Sequence, residues 1–84
     1  MHQVTFFTKP DCSLCHAAMY VLRRLRARHP FDLRKVDITA PGNEAWHQAY
    51  GEHIPVVHLN GREVFRHCID EHGLGDLLCN ADAK

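Results

Sequence analysis

The spacing of apolar and polar positions along this chain predicts its helices and strands. The run from Val4 to Phe7 is β-branched and aromatic and is followed by Lys9-Pro10-Asp11, so it predicts a first strand that ends in a loop. From Ser13 onward apolar side chains recur at helical spacing, which predicts a helix that ends near His29-Pro30. The apolar stripe of this helix consists of Leu14, Ala18, Val21, Leu22 and Leu25.

The other face of the same helix is strongly cationic. It carries Arg23, Arg24, Arg26 and Arg28. Positive charge near a helix C-terminus interacts favourably with the helix dipole. We therefore interpret these arginines as a solvated face and assign them no binding partner.

A second strand and a short helix follow. Phe31 to Ile38 has the broken apolar alternation of a strand, and Ala40-Pro41-Gly42 turns the chain after it. Asn43 is typical of a helix N-cap, and Glu44 to Tyr50 predicts a short helix. We expect Gly51 to end this helix in the left-handed conformation.

The last third of the chain predicts a hairpin and a final helix. Ile54 to Leu59 is typical of a third strand, and Asn60-Gly61 favours a tight turn into a fourth strand around Glu63-Val64-Phe65. From Asp70 onward the spacing predicts a helix. Its apolar side consists of Leu74, Leu77, Leu78 and Ala81.

The predicted order is therefore βαβαββα. A strand-helix-strand crossover makes the first two strands parallel, and the hairpin adds antiparallel strands, so we expect an α/β fold with a four-stranded mixed sheet flanked by helices. At 84 residues, 45% of them apolar, the chain predicts a single domain over residues 1–84.

Charge and hydropathy narrow the classes of partner. The 10 basic and 10 acidic side chains cancel, so no net charge favours nucleic acid or an anionic membrane. No stretch approaches the roughly 20 apolar residues of a membrane span, and the N-terminus lacks a secretory signal pattern. We expect a cytoplasmic monomer that binds neither nucleic acid nor membrane.

The cysteines carry the candidate chemistry, because a reducing compartment disfavours static disulfides. Cys12-Ser13-Leu14-Cys15 begins the first helix, where unpaired N–H groups and the helix dipole favour a thiolate. Cys12 is the predicted nucleophile. Cys15 is the predicted resolving thiol, because it can attack a mixed disulfide formed at Cys12. The single residues Cys68 and Cys79 are expected to be inert, buried packing residues.

Three other interpretations of the cysteines stay open. The segment Cys12 to His16 is also the C-x-x-C-H motif of c-type haem attachment, although such attachment normally follows export. The same cysteine pair could join Cys68 and either His67 or His72 around zinc, or hold an iron-sulfur cluster between subunits. Finally, the cysteines could merely pack in a non-catalytic interaction domain, because fold does not fix function.

The element order, the segment Lys9 to Cys15 and the dipeptide Ile54-Pro55 together resemble the thioredoxin superfamily, specifically small glutaredoxin-like proteins. The resemblance covers nearly the whole chain and implies a thiol-disulfide oxidoreductase that acts on protein or small-thiol disulfides. It implies that Pro55 is a cis-proline facing the cysteines and that the Ile54 main chain binds substrate. It implies no built-in cofactor, with glutathione as a co-substrate and glutathione or a reductase as the external electron donor.

The resemblance also implies roles for residues that flank the cysteines. Lys9 occupies the position of a glutaredoxin lysine that helps bind the glutathione carboxylate, and its charge favours a nearby thiolate. The charge of Asp11 acts in the opposite direction. His16, in the first helical turn, is expected to be exposed and to tune the redox pair through its charge.

One departure from glutaredoxins follows the fourth strand. Glutaredoxins carry a Gly-Gly pair and then acidic residues that bind the γ-glutamyl end of glutathione, whereas this chain has Phe65-Arg66-His67-Cys68-Ile69-Asp70. Bulky side chains stand where the backbone must approach the ligand, so we expect a reshaped or absent glutathione pocket. Asp70 could still bind that end of the ligand, but a helix N-cap is its simpler role, and we interpret it so.

Overall fold

The computed structural model describes residues 1–82, with side chains described through Cys79, and it has the order βαβαββα. The strands are β1 (His2–Thr8), β2 (Phe31–Asp37), β3 (Val56–Leu59) and β4 (Arg62–Arg66), and the helices are α1 (Ser13–Arg28), α2 (Glu44–Tyr50) and α3 (Glu71–Asp82). One sheet has the order β2-β1-β3-β4, with β1 parallel to β2 and antiparallel to β3. The predicted order and mixed sheet are confirmed. None of the helices within residues 1–82 has the length and apolar character needed to cross a membrane.

Alternation along β1 divides the core between the two faces of the sheet. Phe7 packs against α2, with its ring centroid 4.7 Å from that of Trp46 and 5.1 Å from that of Tyr50. The adjacent Phe6 points to the other face, which α1 and α3 cover. The buried leucines that these two helices contribute are Leu22, Leu25, Leu74 and Leu78.

The core stripe of α1 differs from the prediction at its first position. Leu14 is 55% exposed, whereas Cys15 is only 5% exposed and packs in the core with Ala18. The buried positions of α1 are Cys15, Ala18, Leu22 and Leu25. Their helical spacing includes the cysteine and leaves the leucine on the solvent side, so Cys15 begins the buried face of α1.

Two details of the other helices were predicted wrongly. Gly51 ends α2 with φ −53° and ψ −32°, a right-handed conformation, because the chain continues directly into a turn. Leu77 is 40% exposed, whereas Leu74 and Leu78 lie on the buried face of α3. The side chain of Ala81, which was assigned to that face, lies outside the described residues.

Two polar side chains make contacts that the sequence did not predict. Asn43 stands at the N-cap of α2 without a capping hydrogen bond, and its side-chain amide instead donates to the Asp37 carbonyl at 2.8 Å. Arg24 makes a bidentate ion pair with Glu71, at 3.1 Å from Nε and 2.7 Å from Nη2, which joins α1 to α3. This arginine face is therefore not purely solvated.

Candidate functional site

The two cysteines of the C-x-x-C segment form a disulfide at the start of α1, with their Cα atoms 5.2 Å apart. Cys12 is the N-cap residue, and its Sγ accepts a hydrogen bond from the Cys15 N–H at 3.2 Å. The Cys12 carbonyl accepts from the His16 N–H at 3.1 Å. The sulfur thus takes the place of the oxygen of an ordinary N-cap side chain, where N–H groups and the helix dipole stabilise negative charge.

The two sulfurs differ in their access to solvent. Both cysteines line an open groove, but Cys12 is half-buried, whereas Cys15 is 5% exposed and belongs to the core. An external reagent therefore reaches Cys12 first. Because the disulfide already joins the two residues, Cys15 is positioned to react with the Cys12 sulfur without a rearrangement of α1.

A groove of about 760 Å³ lies between α1 and β2, and the disulfide lies at one end of it. One wall is a single face of α1 and the other is a single face of β2. These walls consist of His16, Met19, Arg23 and Arg26 on α1 and of Leu33, Lys35 and Asp37 on β2. At the far end the guanidinium of Arg26 is fixed, because its Nε donates to the Phe31 carbonyl at 3.0 Å.

The groove is positively charged although the whole chain is neutral. Its lysine and arginine side chains are Lys9, Arg23, Arg26 and Lys35. Two carboxylates, Asp11 and Asp37, oppose them. The Thr39 hydroxyl and N–H donate to Asp37 Oδ1 at 2.6 Å and 2.8 Å, and these bonds lower the pKa of Asp37. Among residues 1–79, whose side chains are described, these four cations make no ion pair with a carboxylate.

We did not predict this groove from the sequence, because we assigned the arginines of the first helix no binding partner. Arg23 and Arg26 follow His16 and Met19 at the spacing of one helix face. That spacing is the feature of the sequence from which this wall of the groove could have been predicted. The contribution of Lys35 was not visible, since it depends on how closely α1 packs against β2.

The three flanking residues that the sequence singled out do lie beside the disulfide. Lys9, Asp11 and His16 are exposed and line the same groove as Cys12. Asp11 has a left-handed backbone, with φ of 59°, in the tight loop between β1 and α1. All three side chains therefore lie at the mouth of the groove together with Cys12.

The Ile54-Pro55 peptide bond is cis, and both residues are buried, with Ile54 7% exposed. Because Phe7 pairs with Val56 in the antiparallel register, β1 ends where β3 begins. The Ile54-Pro55 peptide therefore lies at the sheet edge from which the Cys12 loop emerges. In the described part of the chain, no backbone group is hydrogen-bonded to the Ile54 N–H or carbonyl. Neither residue lines the groove along β2.

The segment after β4 contains a backbone conformation that usually favours glycine. His67 has φ of 73°, and its N–H is shared between the carbonyls of Pro55, at 2.8 Å, and His53, at 3.2 Å. Cys68 and Cys79 are both exposed, so the prediction of buried packing is wrong for both. Cys68 lies in the bend after β4, and Cys79 follows Leu78 on the solvent side of α3.

Asp70 immediately precedes α3, and its carbonyl accepts from the Leu74 N–H at 2.9 Å. Asp70 therefore stands at the predicted N-cap position, but its carboxylate accepts no hydrogen bond from a described residue. Among the described residues no three His, Cys, Asp or Glu side chains are placed to hold a metal ion. The zinc site that the cysteine pair could form with Cys68 and His67 or His72 is therefore not assembled.

Comparison with known proteins places this geometry in a family. The model of the Glutaredoxin-like domain (DUF836) matches residues 3–79. An uncharacterized protein of Mycobacterium tuberculosis is 32% identical over 75 residues, which cover 86% of this chain and 77% of the relative. The X-ray structure of a structural-genomics target from X. campestris has a TM-score of 0.73 at 28% identity and covers 92% of this chain and 96% of its own. A mutant thioredoxin from Halobacterium salinarum has a TM-score of 0.67 at 25% identity, covering 94% and 73%. The chain therefore has a thioredoxin fold and belongs to the glutaredoxin-like domain family.

Proposed function

We propose that this protein is a thiol-disulfide oxidoreductase that reduces disulfides of proteins or small thiols through Cys12 and Cys15. The observation that carries the proposal is the hydrogen bond from the Cys15 N–H to the Cys12 sulfur at the N-cap of α1. It couples a reachable sulfur, stabilised as an anion, to a buried partner within bonding distance.

The reaction starts from the dithiol form. The Cys12 thiolate attacks one sulfur of the substrate disulfide, the substrate S–S bond breaks, and the departing sulfur takes a proton. The Cys15 thiolate then attacks the Cys12 sulfur, breaks the mixed disulfide and releases the second substrate thiol. Two electrons pass from the cysteine pair to the substrate, and the Cys12–Cys15 disulfide remains.

Returning the pair to the dithiol requires a thiol donor from outside the protein, either glutathione or a reductase, with no built-in cofactor. The free backbone groups of Ile54 support a role in pairing with an extended substrate segment beside Cys12. Lys9, at the mouth of the groove, supports binding of a substrate carboxylate. We place the protein in the cytoplasm as a monomer, where reduced thiols are maintained.

Trapping of a mixed disulfide tests the two roles. Because Cys68 and Cys79 are exposed thiols, the experiment starts from a Cys68→Ser, Cys79→Ser protein, so that any adduct must form at the C-x-x-C pair. Adding Cys15→Ser should leave a stable adduct with a disulfide peptide, whereas adding Cys12→Ser instead should leave none. Mass spectrometry of the intact protein detects the adduct.

The control is the same double-serine background with both active-site cysteines intact, which should release the peptide and end as an internal disulfide. Equal trapping by the Cys12→Ser and Cys15→Ser proteins would show that the assignment of nucleophile and resolving thiol is wrong. No reaction of any protein with the peptide would indicate a non-catalytic interaction domain.

A further inference from the structure

We propose that the groove between α1 and β2 binds an acidic segment of a protein substrate next to the cysteine that reacts with Cys12. The inference rests on the proposed redox function and specifies the class of substrate that this function would favour.

The dimensions of the groove fit a peptide segment better than a small thiol. The groove begins at Cys12 and follows α1 to Arg26. The helix between His16 and Arg26 spans about 15 Å, which corresponds to about four or five residues of extended chain. Met19 and Leu33 add apolar surface between the charges. A tripeptide such as glutathione, held through its sulfur at Cys12, would leave the Arg26 end empty.

The charges of the groove favour carboxylates. Elsewhere in the structure arginines form ion pairs with glutamates of the same chain. Arg24 lies 2.7 Å from Glu71, and Arg66 lies 2.6 Å from Glu63. Arg23 on one wall and Lys35 on the other have no such ion pair among residues 1–79, whose side chains are described, although the charge of Lys35 contributes to lowering the pKa of Asp37 on the same wall. An acidic segment would therefore meet unpaired cations from both walls, and charge-assisted hydrogen bonds would hold it.

The groove also lies on a different side of the disulfide from the Ile54-Pro55 peptide, which does not line it. Pairing of a substrate strand with Ile54 and binding of an acidic segment between α1 and β2 therefore do not compete for the same surface. A protein substrate can use both, whereas a small disulfide reaches only the part next to Cys12.

Three synthetic peptides of equal length test the proposal. Each carries one cysteine as a mixed disulfide with 5-thio-2-nitrobenzoate, flanked by Glu, by Gln or by Lys residues. The fully reduced Cys68→Ser, Cys79→Ser protein, which lacks the two other exposed thiols and is the background for every variant below, is mixed with each peptide. Release of the coloured thiolate gives a second-order rate constant. At low salt the Glu peptide should react about tenfold faster than the Lys peptide, as expected for electrostatic steering. The difference should largely vanish at about 1 M salt, where the screening length falls to about 3 Å.

Two pairs of substitutions locate the effect. Arg23→Gln with Lys35→Gln removes two charges from the groove and should bring the Glu peptide close to the rate of the Gln peptide. Arg28→Gln with Arg62→Gln removes the same charge from exposed positions that do not line the groove, and should leave the preference for Glu intact. Charge reversal, Arg23→Glu with Lys35→Glu, should make the Lys peptide the faster one.

The outcomes separate this inference from the proposed function. Equal rates for the three peptides, with thiolate released from each, would overturn the acidic-substrate proposal and leave the redox function standing. A preference for Glu that both double-glutamine proteins lose equally would show an effect of total charge and overturn the assignment to the groove. No thiolate released from any peptide would overturn both proposals.

Discussion

Two glycines in α3 provide a quantitative test of the role of Asp70. A Cβ built on Gly73 would lie 2.8 Å from Asp70 Oδ2, whereas a Cβ built on Gly75 would lie 3.4 Å from Leu25 Cδ2. The first distance is too short for a carbon and an oxygen in contact, so the Asp70 carboxylate would have to move away from the helix start. The second is a van der Waals contact. Alanine at the two positions therefore differs mainly in its effect on Asp70.

The expected magnitudes follow from these distances. Alanine is favoured over glycine within a helix by about 0.8 to 1.0 kcal/mol, so Gly75→Ala should raise the free energy of unfolding by about 1 kcal/mol. The Asp70 carboxylate accepts no hydrogen bond from a described residue, so it favours the helix start through the helix dipole, by about 0.3 to 1 kcal/mol. Gly73→Ala gains helix propensity and loses this contribution, so it should stabilise the protein less than Gly75→Ala does, by up to about 1 kcal/mol. A difference of about 1 kcal/mol corresponds to about 4–8 °C in Tm for a domain of this size.

Urea denaturation followed by circular dichroism measures both variants, each in the wild-type and in an Asp70→Ala background. Without the carboxylate, Gly73→Ala should stabilise α3 as much as Gly75→Ala does, because there is no N-cap left to displace. If Gly73→Ala already stabilises by the full amount when Asp70 is present, the carboxylate does not support the helix start. The interpretation of Asp70 as an N-cap would then be refuted.

Three further predictions concern the site and the sheet. In the reduced protein Cys12 should be alkylated by iodoacetamide at least about tenfold faster than Cys68 at pH 6.5, since helix-start thiols ionise well below the usual value of about 8.5; equal rates would contradict the proposed thiolate. Burial lowers the pKa of His58, whose Nε2 lies 3.0 Å from the Tyr50 hydroxyl. Neutral His58 therefore stabilises the fold above pH of about 6.5, and this contribution is lost as the pH falls through the lower pKa that His58 has in the folded protein. His58→Gln should therefore flatten the decline in Tm on acidification, and an unchanged slope would refute the assignment. His67→Gly should be more stable to urea than His67→Ala by about 1 kcal/mol because of the left-handed backbone, and the reverse order would show that the φ angle carries no strain.

The order of elements could be predicted because each signal is local. Asn60 and Gly61 both adopt positive φ, 53° and 85°, as a tight hairpin turn requires. The register shift in the same hairpin, between Val57 and His58, has no comparable signal in the sequence. Leu14 was misassigned for a related reason, since hydropathy ranks leucine above cysteine but the helix phase that buries Cys15 depends on packing against the sheet.

The candidate site also has a part that adjacent residues predict and a part that only the tertiary fold determines. The C-x-x-C pair and its place at a helix start follow from adjacent residues, so sequence alone predicts which atoms react. The walls of the groove come from segments that lie far apart in the chain, such as Arg23 and Lys35, and their meeting depends on the tertiary fold. The exposure of Cys68 and Cys79 could not be predicted either, because a lone cysteine has no pattern that distinguishes a buried position from a bend or the outer face of a helix.

The net charge of the chain indicates the long-range electrostatic field of the whole molecule but not the local field within the groove. A balance of 10 basic and 10 acidic side chains argues against a long-range field over the whole molecule. It does not describe the field within a groove, because exposed charges separated by more than about 10 Å are largely screened at 0.1 M salt. Glu63 and Glu71 form ion pairs with arginines, and neither glutamate lines the groove beside the disulfide. Salt should therefore affect the reaction of Cys12 with charged peptides much more than its reaction with a neutral alkylating agent, because only the peptides extend along the cationic walls.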